Sequence, residues 1–103
     1  MTRKKYNKLV RNLIPEIIEA SGKKCKWHKA QSRALPKYLA KKLVEEAKEF
    51  QENPSNEELA DIMEVIYTIE QTMGLNRYAK MGLKAYNRGT FENQIILDWV
   101  DDE

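Results

Sequence analysis

Apolar residues recur every three or four positions through two adjoining stretches that together run from Leu35 to Met73. In the first, Leu39, Leu43, Ala47 and Phe50 fall on one side of a helix. In the second, Leu59, Ile62, Ile66, Ile69 and Met73 do the same. Pro36 suits a first turn, and the helix it opens runs to about Glu52, where Asn53-Pro54 stops it. Ser55 is placed to cap the next helix, and Gly74 to end it after Met73. So short a connection makes the two helices antiparallel neighbours.

The rest of the chain reads as shorter elements. Pro15 and Gly22 bracket a short helix whose buried side would be Ile14, Ile17 and Ile18. A further helix is expected from about Asn76 to Arg88, with Gly89 as its terminator. Lys24–Ala30 alternates, with Cys25 and Trp27 on one face and lysines on the other. Phe91–Val100 is a second strand candidate that could pair with it before the acidic Asp101-Asp102-Glu103 tail. The expected fold is one mainly α domain over residues 1–103. It is an antiparallel bundle of about four helices with a short two-stranded β element leaning on it.

Polar positions bordering the stripes carry the chemistry. Glu46 and Glu49 are three apart on the first long helix, and Glu58 and Asp61 three apart on the second. Residues so spaced share a helix face. Glu46 falls roughly 60° from Leu43, beside its apolar face, whereas Glu58 falls roughly 40° from Ile62, within the span of its stripe, with Asp61 at the edge. If those arcs pack, four carboxylates meet near the seam, where unpaired like charges repel and desolvation is costly unless a cation is bound. A hard divalent ion such as magnesium suits an all-oxygen set. The plainer reading is available for the same residues: Glu58 completing a capping box with Ser55, and exposed acids pairing with Lys41, Lys42 and Lys48.

Basic residues form a counterpart. Arg77, Lys80, Lys84 and Arg88 make a stripe on the last helix, and Arg3, Lys4, Lys5 and Lys8 crowd the N-terminus. Acids that hold a metal beside bases that hold phosphates is an arrangement suited to phosphoryl chemistry.

Composition narrows the classes. With 103 residues and 42% apolar content the chain supports one domain with a core, and its two long amphipathic helices invite a second copy. The formal charge of +2 and the acidic centre argue against a nucleic-acid surface. A single cysteine, Cys25, excludes an intramolecular disulfide and fits a reducing compartment. His28, the only histidine, has no partner at ligand spacing, which argues against a zinc site or a nucleophilic triad. No run reaches the roughly 20 apolar residues of a membrane span, and the expected setting is cytoplasmic.

Three blocks then resemble one family, the all-α nucleotide pyrophosphohydrolases of the MazG-type and phosphoribosyl-ATP-pyrophosphohydrolase-like superfamily. Tyr6–Ile18 is similar to the N-terminal signature of a small single-domain subgroup. Glu45-Glu46-Ala47-Lys48-Glu49-Phe50 followed by Glu58-Leu59-Ala60-Asp61 resembles the superfamily's ExxE and ExxD pattern, and Lys84–Phe91 resembles the subgroup's ending. Asn12 stands where the subgroup commonly has aspartate, and Thr90 where a second glycine is usual. The resemblance implies Glu46, Glu49, Glu58 and Asp61 as ligands of magnesium, with manganese as a substitute. It also implies cleavage of a nucleoside triphosphate between its α and β phosphates, to a monophosphate and pyrophosphate. Lys8, Arg11, Lys84 and Arg88 would contact phosphates; the resemblance assigns the proton to no particular acid, and Glu45 is one candidate beyond the four ligands. A homodimer or homotetramer is expected. The competing reading is a non-catalytic helical oligomer that serves as an interaction protein.

Overall fold

Four helices follow one another in this computed structural model, which describes residues 2–101. They are α1 (Ile14–Ala20), α2 (Leu35–Glu52), α3 (Asn56–Met73) and α4 (Tyr78–Arg88). Met1, Asp102 and Glu103, ends of the basic arm and acidic tail, lie outside the described residues.

The hairpin of α2 and α3 is built by its connection. Pro36 sits in the first turn of α2, where its missing N–H has no helical partner to lose. Asn53 leaves the helix with φ −144° and ψ 78°, outside the α region that a following proline disfavours. Ser55 then accepts a hydrogen bond from the Glu58 N–H at 3.3 Å, capping α3. Gly74 closes α3 at φ 67°, a left-handed conformation that glycine adopts without the Cβ penalty of other residues.

Of the four helices only α2 and α3 pack on each other among the described residues. Their core is small: Leu39 and Val65 are its buried apolar residues, with Ile62, Ile66 and Ile69 half-buried beside Val65. This shifts the expected stripes. Val65, outside the expected set, lies at the centre of the α3 seam, whereas Leu59, Met73, Ala47 and Phe50 are exposed. The seam therefore runs through Leu39, Leu43 and Glu46 on α2 and through Val65, Ile62 and Glu58 on α3, so the acids continue the line of core positions toward the loop.

Two other expectations are corrected. Lys24–Ala30 and Phe91–Val100 form no strand, and there is no β element among the described residues. A two-stranded ribbon needs a surface to pack on. Here Trp27 and Trp99 are 62% and 76% exposed, so neither segment has one. In α1, Ile14 and Ile18 are half-buried as expected, but Ile17 faces solvent. His28 is exposed and Cys25 is a free, half-buried thiol whose Sγ lies 3.8 Å from the Pro15 carbonyl.

Candidate metal centre

The antiparallel hairpin sets Glu46 and Glu49, in the last two turns of α2, against Glu58 and Asp61, in the first two turns of α3. One carboxylate oxygen from each of the four lies within 4.8 Å of the others. That span matches the coordination sphere of one hard divalent cation, about 4–5 Å across. The four residues grade outward from the core: Glu46 is buried, Glu58 and Asp61 are half-buried, and Glu49 is exposed.

Two oxygens make this cluster different from an ordinary charged face. Glu46 Oε2 and Glu58 Oε2 are buried and accept no hydrogen bond among the described residues. A buried acceptor without a partner is expensive, and a charged one more so. The capping-box reading of Glu58 accounts for its backbone and leaves its carboxylate unused: Ser55 takes the Glu58 N–H, while Glu58 Oε2 stays unpaired. Both orphaned oxygens belong to the group of four, and an oxygen-seeking cation fits this donor set.

Charge around the cluster is partly compensated. Lys42, one turn before Glu46 on α2, sets its Nζ 3.3 Å from Glu46 Oε1 and 3.5 Å from Glu45 Oε1. Burial raises the Glu46 carboxyl above the usual glutamate range, and Lys42 opposes the rise. Sequence pattern alone puts Lys42 among ordinary surface pairs. Its side chain is only 16% exposed, and its place four residues before Glu46 is the pattern that could have marked it.

A strap from the N-terminal block crosses the hairpin. Asn7, at φ 45°, occupies a left-handed conformation that asparagine tolerates, and its Oδ1 accepts from the Tyr38 hydroxyl on α2 at 3.1 Å. Lys8 Nζ donates to Glu45 Oε1 at 2.9 Å, and Arg11 Nη2 donates to Asp61 Oδ1 at 2.7 Å. Two of the four expected phosphate-binding residues are thus brought to the acids. The hydrogen bond from Lys8 holds the Glu45 carboxyl below its usual range, with Lys42 adding to the effect, and Glu45 in turn raises Lys8. A carboxylate held low is a weak base near neutral pH, so Glu45 is placed as an anchor for the strap.

Lys84 and Arg88 are not brought to the acids by their own chain. Among the described residues helix α4 packs on no other helix, and its link to α3 is Arg77, whose guanidinium pairs with Glu70 and lies over the Tyr78 ring at 4.7 Å from its centre. Arg77, expected in the basic stripe, is committed to that junction. The hollow between the strap and α2, lined by Asn7, Lys8, Tyr38 and Glu45, encloses about 30 Å³. Ligand pockets typically hold about 300–1,000 Å³, so this hollow, which none of the four acids lines, is too small to be one.

No helix is long and apolar enough to cross a membrane among the described residues. Compared with protein-family profiles, with curated proteins and with solved structures, the chain matches none.

Proposed function

We propose that the protein is a magnesium-dependent nucleotide pyrophosphohydrolase that splits a nucleoside triphosphate or related nucleotide into a monophosphate and pyrophosphate. The observation that carries the reading is the convergence of Glu46, Glu49, Glu58 and Asp61 on one point, with two buried carboxylate oxygens there lacking any other partner among the described residues. The MazG-like pattern of the acids supplies the reaction class.

In this reading the four acids hold the metal, and manganese substitutes for magnesium. A divalent ion so held supplies charge neutralisation for a polyphosphate and lowers the pKa of water. The chain's own residues do the remainder. Lys42 screens Glu46 from Glu49 and Asp61. Lys8 pins the strap through Glu45, and Arg11, at the mouth of the cluster, exchanges Asp61 for a phosphate oxygen when a nucleotide arrives. Arginine suits that exchange because its guanidinium matches carboxylate and phosphate alike.

The test is pyrophosphate release from a panel of standard and modified nucleoside triphosphates, followed by phosphoribosyl-ATP, with magnesium and with chelator. Magnesium-dependent release that Glu49→Gln abolishes is the expected result. No release from any of them returns the chain to the reading of a non-catalytic interaction protein.

A further inference from the structure

The strap Asn7–Arg11 reaches from one helix of the hairpin to the other, and its contacts fall into two groups. Toward α2 it is fixed by neutral and apolar contacts as well as by charge. Asn7 Oδ1 accepts from the Tyr38 hydroxyl at 3.1 Å, half-buried Leu9 lines the hollow beside Tyr38, and Lys8 donates to Glu45. Toward α3 it reaches Asp61 through Arg11, at 2.7 Å. The first group of contacts lies outside the four converging acids, and the second ends on one of them.

This layout makes Arg11 a tethered competitor. Arg11 lies four positions after Asn7, so the chain carries it no farther than about 14 Å from that anchor. A group tethered so close to its partner acts at a high effective concentration, which falls when the anchor is loosened. An ion held by Glu46, Glu49, Glu58 and Asp61 needs the carboxylate that Arg11 occupies, and a guanidinium and a divalent cation on one carboxylate repel each other. The bend at the anchor, Asn7 at φ 45°, is one that asparagine tolerates better than most side chains.

We propose that Asn7–Arg11 is a latch on the metal centre: anchored through Asn7 on Tyr38, it holds Arg11 on Asp61 and yields that carboxylate to the ion, so Arg11 is free to meet phosphate only once the ion is in place. The proposal rests on the four-acid metal centre proposed above and adds its regulation. Ion affinity is set in part by a neutral hydrogen bond that touches none of the acids. Tyr38 stands eight residues before Glu46 on α2, about 12 Å along the helix axis. A latch differs in sign from a brace that shapes the acids: cutting a brace weakens ion binding, whereas cutting a latch strengthens it.

The test is the manganese affinity of the intact chain, read by electron paramagnetic resonance, with circular dichroism to verify helicity. Tyr38→Phe and Asn7→Ala remove the anchoring hydrogen bond from its two sides and change no charge, so no loss of charge accounts for their effect. Each should tighten manganese binding by about two- to fivefold, the affinity equivalent of an exposed polar contact. In an Arg11→Ala background the same substitutions should leave affinity unchanged, because the competing group is already gone. Unchanged or weaker affinity in the single variants, or tightening that persists without Arg11, overturns the latch and leaves the metal centre standing. Wild-type protein that binds no manganese overturns the metal centre and the latch with it.

Discussion

Arg11 donates to Asp61 across the mouth of the acid cluster, Nη2 to Oδ1 at 2.7 Å, so a residue expected to hold phosphate instead holds an expected metal ligand. The two side chains are 55% and 35% exposed. An exposed pair of this kind contributes about 0–1 kcal/mol to stability, so its importance lies in competition for Asp61. Arg11→Ala should therefore change the unfolding free energy by less than about 1 kcal/mol. It should tighten divalent-ion binding while lowering nucleotide turnover. Titration calorimetry with manganese and pyrophosphate assays on the same preparation check both directions.

Glu46 is where stability and function oppose each other. Its carboxyl is raised by burial, so ionising it weakens the metal-free fold. The stability it contributes is full below the ordinary glutamate value of 4.5 and is lost as pH rises through the higher value of the folded protein. Glu46→Gln should make the metal-free protein at least as stable as wild type at neutral pH and flatten this dependence. The same substitution should abolish stabilisation by magnesium. Denaturant midpoints between about pH 4 and pH 8, with and without the ion, measure all three effects. A Glu46→Gln variant still stabilised by magnesium would remove Glu46 from the metal site.

Lys8 and Glu45 have the opposite sign. Glu45 is lowered by its hydrogen bond with Lys8, so the pair stabilises the fold above the ordinary carboxylate range and stops doing so as pH falls through the lowered value. With side chains 41% and 30% exposed, solvent screens the pair. Lys8→Ala should cost no more than about 1 kcal/mol. Glu45→Gln should retain most turnover, because a carboxylate held low by two lysines contributes little as a base. A loss as deep as that of Glu49→Gln would restore Glu45 as the proton acceptor.

Magnesium should also act as a folding ligand. An ion that binds the native state alone stabilises it by about 2.7 kcal/mol at a hundred times its dissociation constant. For a domain of this size that raises the thermal midpoint by on the order of 10 °C. Glu58→Gln, which removes one of the two carboxylates with an unpaired buried oxygen, should erase the shift. Differential scanning fluorimetry with magnesium and with sodium salts at matched ionic strength separates site binding from screening.

The helices are legible in the sequence where local chemistry punctuates them. Pro36, Asn53-Pro54-Ser55 and Gly74 set the bounds of α2 and α3, and their three-residue connection makes the hairpin and the meeting of four acids deducible. Periodicity gives the width of an apolar arc but leaves its centre free to rotate by a residue. Val65 consequently takes the seam centre while Leu59 turns outward. The role of Lys42 escapes such a reading because its burial depends on the partner helix. The position of α4 is beyond reach for a similar reason: its spacing shows an apolar and a basic face, and only tertiary contacts decide what they meet. Alternation at Trp27 and in Phe91–Val100 suggests strands, but a strand exists only through a pairing partner, and sequence pattern does not supply one.

The most direct measurement is manganese binding to the purified chain, followed by electron paramagnetic resonance, for wild type and for Glu58→Gln and Asp61→Asn. The predicted result is saturable binding to wild type that magnesium displaces and that both substitutions abolish while helicity is preserved. Wild-type protein that leaves manganese free in solution would contradict a metal centre in the α2–α3 hairpin.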